Sequence, residues 1–422
     1  MRALQFISRL LVGFVFIFSG FVKAVDPMGS TFKFSDYFVA FGMDSFKEIA
    51  FPLAILLSTV EFVVGLALFF NARKAFTSWM ALLFMLFFTP LTLVLAITNP
   101  VTDCGCFGDA LVLSNWETFG KNLIILGLTL IVFFGRKKDT KTYPVWEQNL
   151  LIGFATVFTV WISVYSYHHL PIIDFRPYHI GANISDGMII PEGAPADEYR
   201  SLFKYEKGGV VKEFDETNYP WQDTTWKFVD SEQTLLKEGY TPPIHDFSIS
   251  NHMEGDITSQ VLSDERYSFL LVSKELSKID ESALSKIKDL AMYALENDIP
   301  LIGLTASAQD EMNEFKNDNE LPFYLYNTDE IQLKTIVRSN PGLLLLHKGT
   351  ILGKWHFNDF PKADELKGNL AAYSITKHQK LNIKLVFISI TSTLLLLSSM
   401  NKQISNSKVD VILIKTSLIF NF

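Results

Sequence analysis

The chain has 422 residues, of which 49% are hydrophobic, and a formal net charge of −8. The length predicts two or three structural units, the apolar content indicates a membrane protein, and the dispersed basic residues exclude a nucleic-acid-binding tract. Only two cysteines are present, so a scaffold built on several disulfides is also excluded.

Five long apolar runs within the first 170 residues predict membrane-spanning helices. Each is long enough to cross about 30 Å of hydrocarbon as a helix, and the first is long for a cleaved signal peptide. A sixth run follows near the carboxyl end. The predicted spans are about 3–25, 49–70, 76–98, 116–134, 149–166 and 381–399.

Basic residues in the short loops predict the orientation of these spans, because cytoplasmic loops are enriched in Lys and Arg. Arg73-Lys74 lies between spans two and three, and Arg136-Lys137-Lys138 lies between spans four and five. Both loops are therefore expected in the cytoplasm. This arrangement predicts a protein of the cytoplasmic (inner) membrane whose amino terminus lies on the cytoplasmic side. It puts the loop after span three, and the long segment after span five, on the outer side.

The stretch Asp103-Cys104-Gly105-Cys106-Phe107-Gly108-Asp109 follows span three and holds both cysteines. The sequence Ser114-Asn115-Trp116-Glu117 fits a helix-capping box, so the cysteines are expected in a connection rather than in a helix. A disulfide between thiols separated by one residue would close a small, strained and easily reduced ring. The pair is therefore a candidate for thiol–disulfide exchange.

Two other interpretations of Cys104 and Cys106 remain open. In the first, they are a structural pair, either a static disulfide or two unreactive thiols. In the second, they bind a metal, although two ligands are too few for a metal site. Asp103 and Asp109 argue against exchange because they disfavour a thiolate, and the stretch contains no histidine or basic residue. No metal site is predicted elsewhere in the sequence.

Two ionisable residues lie inside predicted spans, where a charge is costly and indicates function by default. Glu61 is near the middle of span two and Arg9 is about two turns into span one. Their depths, counted at about 1.5 Å per residue, would allow them to pair. They are either a proton-transfer or quinone-contact site, or an ion pair that fixes helix packing while Arg9 reaches towards the membrane surface.

Beyond span five the composition changes twice. Residues 171–239 combine short alternating runs with turns such as Gly208-Gly209, which predicts a β-rich connector. Residues 240–375 alternate strand-like and helical stretches and end in a hairpin turned by Lys348-Gly349, which predicts an α/β domain. Residues 376–422 are expected to hold the last span and a short tail.

The first 170 residues resemble the DoxX/MauE group of membrane proteins. The resemblance implies a redox-associated four-helix membrane bundle, and the MauE name implies a role in maturing a disulfide-rich amine dehydrogenase in the periplasm. The matching segments are Arg9-Leu10-Leu11-Val12-Gly13, Ser19-Gly20-Phe21-Val22-Lys23, Glu61-Phe62-Val63-Val64-Gly65 and Asp103-Cys104-Gly105-Cys106-Phe107-Gly108.

Residues 240–373 are similar to the thioredoxin fold of the peroxiredoxin or TlpA type. Pro243-Ile244-His245-Asp246-Phe247-Ser248-Ile249 resembles the opening strand of that family, and Asn340-Pro341-Gly342 resembles its cis-proline. The family's cysteines should follow the strand that ends at Val272, but Ser273-Lys274-Glu275-Leu276-Ser277 contains none. The resemblance therefore implies a recognition or docking domain, or a degenerate remnant, without dithiol chemistry of its own.

These features predict a mixed fold, an α-helical polytopic membrane bundle plus an extracytoplasmic α/β thioredoxin-like domain. The predicted function is electron exchange between an extracytoplasmic thiol or disulfide protein and the quinone pool of the lipid bilayer, through Cys104 and Cys106. The alternative is a non-enzymatic, membrane-anchored assembly or docking factor whose cysteines only staple a loop. A small-molecule transporter is a third class, but no pair of broken helices or internal repeat supports it.

Overall fold

The computed structural model describes residues 2–101, 103–137, 144–237, 239–366 and 368–374. The span predicted at about 381–399 and the tail after it lie outside the described residues. The chain divides into two compact units, Met1–Phe360 and Pro361–Phe422. All the elements named below belong to the first unit.

The amino-terminal part is a helical bundle, and its five long apolar helices confirm a multi-pass membrane protein. Within the described residues, the candidate spans are Ala3–Val25, Asp44–Phe69, Lys74–Thr98, Asn115–Gly135 and Val145–His168. The helices themselves are α1 (Arg2–Val25), α2 (Pro27–Ala40), α3 (Ala50–Phe69), α4 (Lys74–Thr98), α5 (Asn115–Gly135) and α6 (Val145–His168).

Helix α2 lies in a segment for which no helix was expected from the sequence. It starts with a local signal, since the Asp26 carboxylate accepts a hydrogen bond from the Gly29 N–H at 2.9 Å and Pro27 occupies the first helical position. Helix α2 lies at the end of the bundle where α1 and α4 finish and α3 and α5 begin. We call this end the cysteine end, because it carries the loop 99–114.

Close packing of α1 against α3 is made possible by glycines on both helices. A Cβ atom added to Gly20 would lie 2.5 Å from the backbone nitrogen of Phe62, and one added to Gly65 would lie 2.5 Å from that of Ile17. Small residues of this kind let membrane helices approach closely. This contact places the polar side chains in the last turns of α1 directly against the middle of α3.

Three antiparallel strands lie between the bundle and the α/β domain in the chain. They form a sheet in the order β2-β1-β3, with β1 and β2 joined by the Gly208-Gly209 turn. The strands are β1 (Glu198–Lys207), β2 (Val210–Asp215) and β3 (Lys227–Lys237).

The carboxyl-terminal part of the first unit is a mixed α/β domain with a seven-stranded sheet in the order β10-β9-β6-β7-β8-β4-β5. Strands β6, β7 and β8 are parallel, and β9 runs antiparallel to both of its neighbours, β6 and β10. The strands are β4 (Ser250–Asn251), β5 (Gly255–Asp256), β6 (Tyr267–Ser273), β7 (Leu301–Thr305), β8 (Leu325–Asn327), β9 (Gly342–His347) and β10 (Thr350–His356). The helices are α7 (Ile184–Gly187), α8 (Thr258–Ser263), α9 (Glu281–Glu296), α10 (Gln309–Asp318) and α11 (Glu330–Ile336).

The core of this domain includes residues that precede the three-stranded sheet. Tyr178 and Ile184 are buried with the apolar side chains of β6 and β9. The Tyr178 hydroxyl donates a hydrogen bond to Gln332 Oε1 at 2.8 Å, and Asn183 forms a β-bridge with Thr350. The segment around α7 therefore packs with the α/β domain, although its sequence position lies within the predicted connector.

Candidate redox site

Cys104 and Cys106 lie in the loop between α4 and α5, at the cysteine end of the bundle. Both are free thiols with their sulfur atoms 2.9 Å apart, whereas a disulfide would bring them to about 2.05 Å. Gly105 and Gly108 have φ values of +65° and +52°, a left-handed conformation that glycine adopts without steric cost. The two glycines fold the loop tightly on either side of Cys106.

Helix α2 supports the Cys104 side of the loop with two polar contacts. The Lys33 ammonium forms an ion pair with the Asp103 carboxylate. The Tyr37 hydroxyl donates a hydrogen bond to the Cys104 carbonyl oxygen at 2.6 Å. Both contacts were missed at the sequence level, where only the start signal Asp26-Pro27 could have indicated a helix.

Three polar side chains from α1 and α3 meet beneath Cys106. Lys23 Nζ lies 2.7 Å from Glu61 Oε2, and both side chains are only 10% exposed. The Ser19 hydroxyl lies 3.0 Å from the Glu61 carboxylate and 2.8 Å from the Cys106 carbonyl oxygen. Its single proton can serve one of these acceptors at a time. Polar contacts therefore lead from the Cys106 backbone to a buried carboxylate and ammonium.

The expected pairing of Arg9 with Glu61 is wrong. Arg9 Nη1 donates to the carbonyl oxygens of Leu68 and Phe69, at 2.7 and 2.8 Å, because the last carbonyls of a helix have no partner within it. These acceptors lie seven residues or more beyond Glu61, which is about 10 Å along α3. The carboxylate instead faces Lys23.

Tertiary contacts also compensate the two aspartates that flank the cysteines. Asp103 is paired with Lys33, and the Asp109 carboxylate lies 2.9 Å from Arg338 Nη2. The Lys121 ammonium lies 4.2 Å from the centre of the Phe107 ring. None of these cations is near the cysteines in sequence, so the argument against a thiolate does not hold in the folded chain.

The two thiols differ in acidity. The hydrogen bond that Cys106 accepts from Cys104 lowers the Cys106 pKa to about 6, against the effect of burial, and the ammonium groups of Lys121 and Lys23 act in the same direction. The same hydrogen bond, together with burial, raises the pKa of Cys104. The thiolate is the reactive form of cysteine, and the surroundings of Cys106 favour its thiolate more than those of Cys104 do.

A cavity of about 350 Å³ opens beside the cysteine pair, within the bundle. Cys104, Cys106, Lys23 and Glu61 lie in its wall. The rest of the lining is mainly apolar and rich in aromatic rings, as in sites for small organic ligands. The aromatic lining residues are Phe16, Phe34, Tyr37, Phe38, Phe41, Phe84, Phe87, Phe88 and Phe107.

The part of the chain that the structure describes contains no group of three or more His, Cys, Asp or Glu side chains placed to hold a metal ion. His168 and His169, at the end of α6, contact residues of the α/β domain. His169 Nδ1 lies 2.9 Å from the Asp359 carboxylate, and the His168 carbonyl accepts a hydrogen bond from Asn358 Nδ2 at 2.8 Å.

The end of strand β6 is the place after which the resemblance noted in the sequence predicted a cysteine pair. Ser273 Oγ donates to Asn340 Oδ1 at 2.9 Å, and the Asn340–Pro341 peptide bond is cis. The next residue, Lys274, lies 5.8 Å from the centre of the Phe32 ring of α2. This edge of the α/β domain therefore faces the membrane bundle and carries no thiol, since both cysteines of the chain are in the membrane loop.

Comparison with known proteins gives two partial matches. Residues 1–135 match the family model described as methylamine utilisation protein MauE. Residues 199–238, which cover β1, β2 and β3 almost completely, match a domain of unknown function, DUF8463. No curated protein and no solved structure matches the chain.

Proposed function

We propose, from the premise that residues 1–135 are a MauE-family membrane segment, that the protein exchanges electrons between a thiol or disulfide protein and a membrane quinone. Cys104 and Cys106 carry the exchange. The observation behind the proposal is that both thiols lie in the wall of an apolar, aromatic-lined cavity within the bundle. A lipid-soluble quinone ring matches the size and apolar character of this cavity.

The proposed cycle has two balanced steps. First, a thiolate of the partner attacks the Cys104–Cys106 disulfide, a second partner thiol resolves the mixed disulfide, and the partner leaves oxidised while Cys104 and Cys106 become a dithiol. Second, the dithiol transfers two electrons and two protons to the quinone, which becomes quinol as the disulfide re-forms. The acidic Cys106 thiol stabilises the reduced form, which makes the disulfide an oxidant of partner thiols.

Separate roles follow for the residues around the pair. Cys106, as thiolate, reacts from the cavity side. The Glu61 carboxylate, paired with the Lys23 ammonium and joined to the loop through Ser19, accepts the protons released as the disulfide forms, one at a time, and passes them to the quinone. Arg9 holds the end of α3 and takes no part in the transfer.

The α/β domain has the role of a thioredoxin-like recognition domain in this proposal. The parallel strands β6, β7 and β8, flanked by the antiparallel hairpin β9-β10, support this fold assignment. The basic loops at Arg73-Lys74 and Arg136-Lys137 support an orientation with the amino terminus in the cytoplasm. The α/β domain and the cysteine loop then share the extracytoplasmic side, where a secreted thiol protein can reach them.

The test is quinol formation by the full-length protein in proteoliposomes that contain ubiquinone or menaquinone, with a reduced dithiol peptide as electron donor. We expect Cys104→Ser and Cys106→Ser each to reduce the rate to background. Val112→Ala, which alters an exposed residue of the same loop, should retain the wild-type rate. Full activity in the double serine variant would exclude the exchange mechanism.

The second candidate function, a non-enzymatic docking or assembly factor, is favoured by one observation. The α/β domain, which carries no thiol, is joined to the bundle by ion pairs between the buried Arg338 side chain and the carboxylates of Asp26 and Asp109. In cells, a docking factor would keep its activity when both cysteines are serine. Alkylation trapping would then find the wild-type pair in one redox state whether or not quinone reduction is blocked.

A further inference from the structure

Arg338 of the α/β domain reaches the cysteine end of the bundle and binds two carboxylates there. Its Nε lies 2.9 Å from Asp26 Oδ2, and its Nη2 lies 2.9 Å from both Asp26 Oδ2 and Asp109 Oδ2. Its Nη1 donates to the Lys334 carbonyl, so every guanidinium nitrogen has an acceptor. The Arg338 side chain is only 7% exposed.

The two carboxylates belong to the two elements that shape the cysteine loop. Asp26 caps the amino end of α2, the helix whose Lys33 and Tyr37 hold the Cys104 side of the loop. Asp109 follows Cys106 by three residues, within the loop itself. One guanidinium therefore ties the start of α2 to the far side of the loop.

The loop has few internal contacts that could replace this tie. Gly105 and Gly108 flank Cys106 with positive φ values, and the Gly108 N–H donates to the Gly105 carbonyl at 3.1 Å. Glycine leaves the chain on either side of Cys106 flexible when no outside group restrains it. Asp109, if it lost Arg338, would keep its charge beside the Asp26 carboxylate without this counterion, and two like charges at one site repel each other.

We propose that Arg338 is a positioning residue for the Cys104–Cys106 pair, so that the α/β domain acts on the thiol chemistry by fixing the loop and not by supplying a thiol. This inference rests on the function proposed above. Arg338 touches neither sulfur atom in this arrangement. It fixes the position of α2 relative to Asp109. This position in turn maintains the contacts of Lys33 and Tyr37 with the Cys104 side of the loop.

The charged groups around Asp109 are shared between the two parts of the first unit. Arg338, Arg176 and Lys33 stabilise its charged form, while burial and the Asp26 carboxylate oppose it and leave its pKa raised. Loss of the Arg338 charge would leave Asp26 and Asp109 facing each other. The loop is then expected to move away from Asp26, which would take Cys106 away from Lys23.

The experiment uses the full-length protein in nanodiscs and compares Arg338→Met with Arg266→Met. Arg266 also binds an aspartate of the same domain, Asp264. It is exposed, and its ion pair involves no residue of the cysteine loop or of α2. Two readouts need neither quinone nor partner. They are amide hydrogen exchange in a peptide that spans residues 103–110, and the pH profile of Cys106 alkylation, resolved from Cys104 by tandem mass spectrometry.

In Arg338→Met we expect exchange in the loop to rise about tenfold and the midpoint of Cys106 alkylation to move up by about one pH unit. Exchange in α5 should be unchanged. Turnover should fall about tenfold to 100-fold, as for other misplaced reacting groups. Arg266→Met should leave all three at the wild-type value. Arg338→Lys should be intermediate, because an ammonium cannot bind two carboxylates in the planar fork of arginine.

Wild-type exchange and an unmoved alkylation midpoint in Arg338→Met would overturn the inference, as would equal changes in Arg266→Met. If Arg338→Met does not fold, Arg338→Lys decides the question with the same two readouts. Loss of turnover in the serine variants with an unaltered loop in the Arg338 variants overturns this inference alone. Full turnover in the double serine variant overturns the proposed exchange, while a loosened loop in Arg338→Met still establishes the positioning contact.

Discussion

The cysteine end of the bundle and the edge of the α/β domain that faces it carry different chemical groups. The bundle loop has two thiols, a buried Lys23–Glu61 pair and an apolar cavity. At the edge of the α/β domain, the Ser273 hydroxyl at the end of β6 donates a hydrogen bond to Asn340, and no thiol is present. The bundle and the α/β domain are joined by the charges of Arg338, Asp26 and Asp109.

The comparison shows that the thiols and the α/β domain that contacts their loop belong to different parts of the chain. The cations around the cysteine loop come from four other parts of the chain, since Lys23, Lys33, Lys121 and Arg338 all lie outside it. The α/β domain supplies one of those cations, Arg338. Four variants test whether the properties of the thiols depend on the residues around the loop and not on the core of the α/β domain.

The largest expected effect is on the stability of the α/β domain. Leu344→Ala removes a fully buried side chain of β9 and should lower the free energy of unfolding by about 2–5 kcal/mol. Thermal unfolding followed by circular dichroism measures the loss, with Met253→Ala, at a residue that is 84% exposed, as the control. If the thiols do not depend on the domain core, Cys106 alkylation below the unfolding temperature should keep its wild-type pH midpoint. A shifted midpoint in the folded variant would show that the domain core itself tunes the thiols.

Glu61→Gln should lower quinol formation about 100-fold, which is in the range for loss of a group that transfers protons. The amide has nearly the shape of the carboxylate, so helix packing should persist. Thr59→Val provides a matched control, because Thr59 is also buried on α3 and its hydroxyl has no hydrogen-bond partner among the described residues. Unchanged turnover in Glu61→Gln would leave the Lys23–Glu61 pair with a packing role only.

The pH dependence of Cys106 alkylation should follow its lowered pKa. The thiolate forms as pH rises through about 6, so the rate should increase about tenfold per pH unit below that value and level off above it. Lys121→Met removes a cation that favours the thiolate and should move the midpoint upwards by up to about one unit, while Lys121→Arg should not. A midpoint near 9 in the wild-type protein would contradict the assignment of Cys106 as the nucleophile.

The smallest effect is expected from Tyr37→Phe, which removes the hydrogen bond from α2 to the Cys104 carbonyl. One such bond contributes about 1 kcal/mol, so loop opening, measured by amide exchange over residues 103–110, should rise roughly fivefold. Tyr324→Phe, at an exposed tyrosine of the α/β domain, should have no effect on the loop. A loop unaffected by Tyr37→Phe would assign the support from α2 to Lys33 alone.

Much of the fold was predictable because its signals are local. Runs of apolar residues long enough to cross a bilayer predicted all five described spans, and the Ser114–Glu117 capping box placed the start of α5. Helix α2 was missed because its short amphiphilic sequence resembles a polar loop, although Asp26-Pro27 is a start signal. The segment at Tyr178 and Ile184 was assigned to the connector because short apolar runs do not reveal which sheet they join.

The sequence by itself determined that this is a multi-pass membrane protein whose only two thiols are paired after the third span, since hydropathy and residue identity are properties of the chain. Only the tertiary structure decided which charges surround those thiols. Depth counting suggested Arg9 as the partner of Glu61, but the rotation of α1 against α3 presents Lys23 instead. In the sequence, the negative charges of Asp103 and Asp109 disfavour a thiolate. In the folded chain, ion pairs with Lys33 and Arg338 compensate these charges. Electrostatic interactions depend on distance and burial, and a sequence order does not contain either.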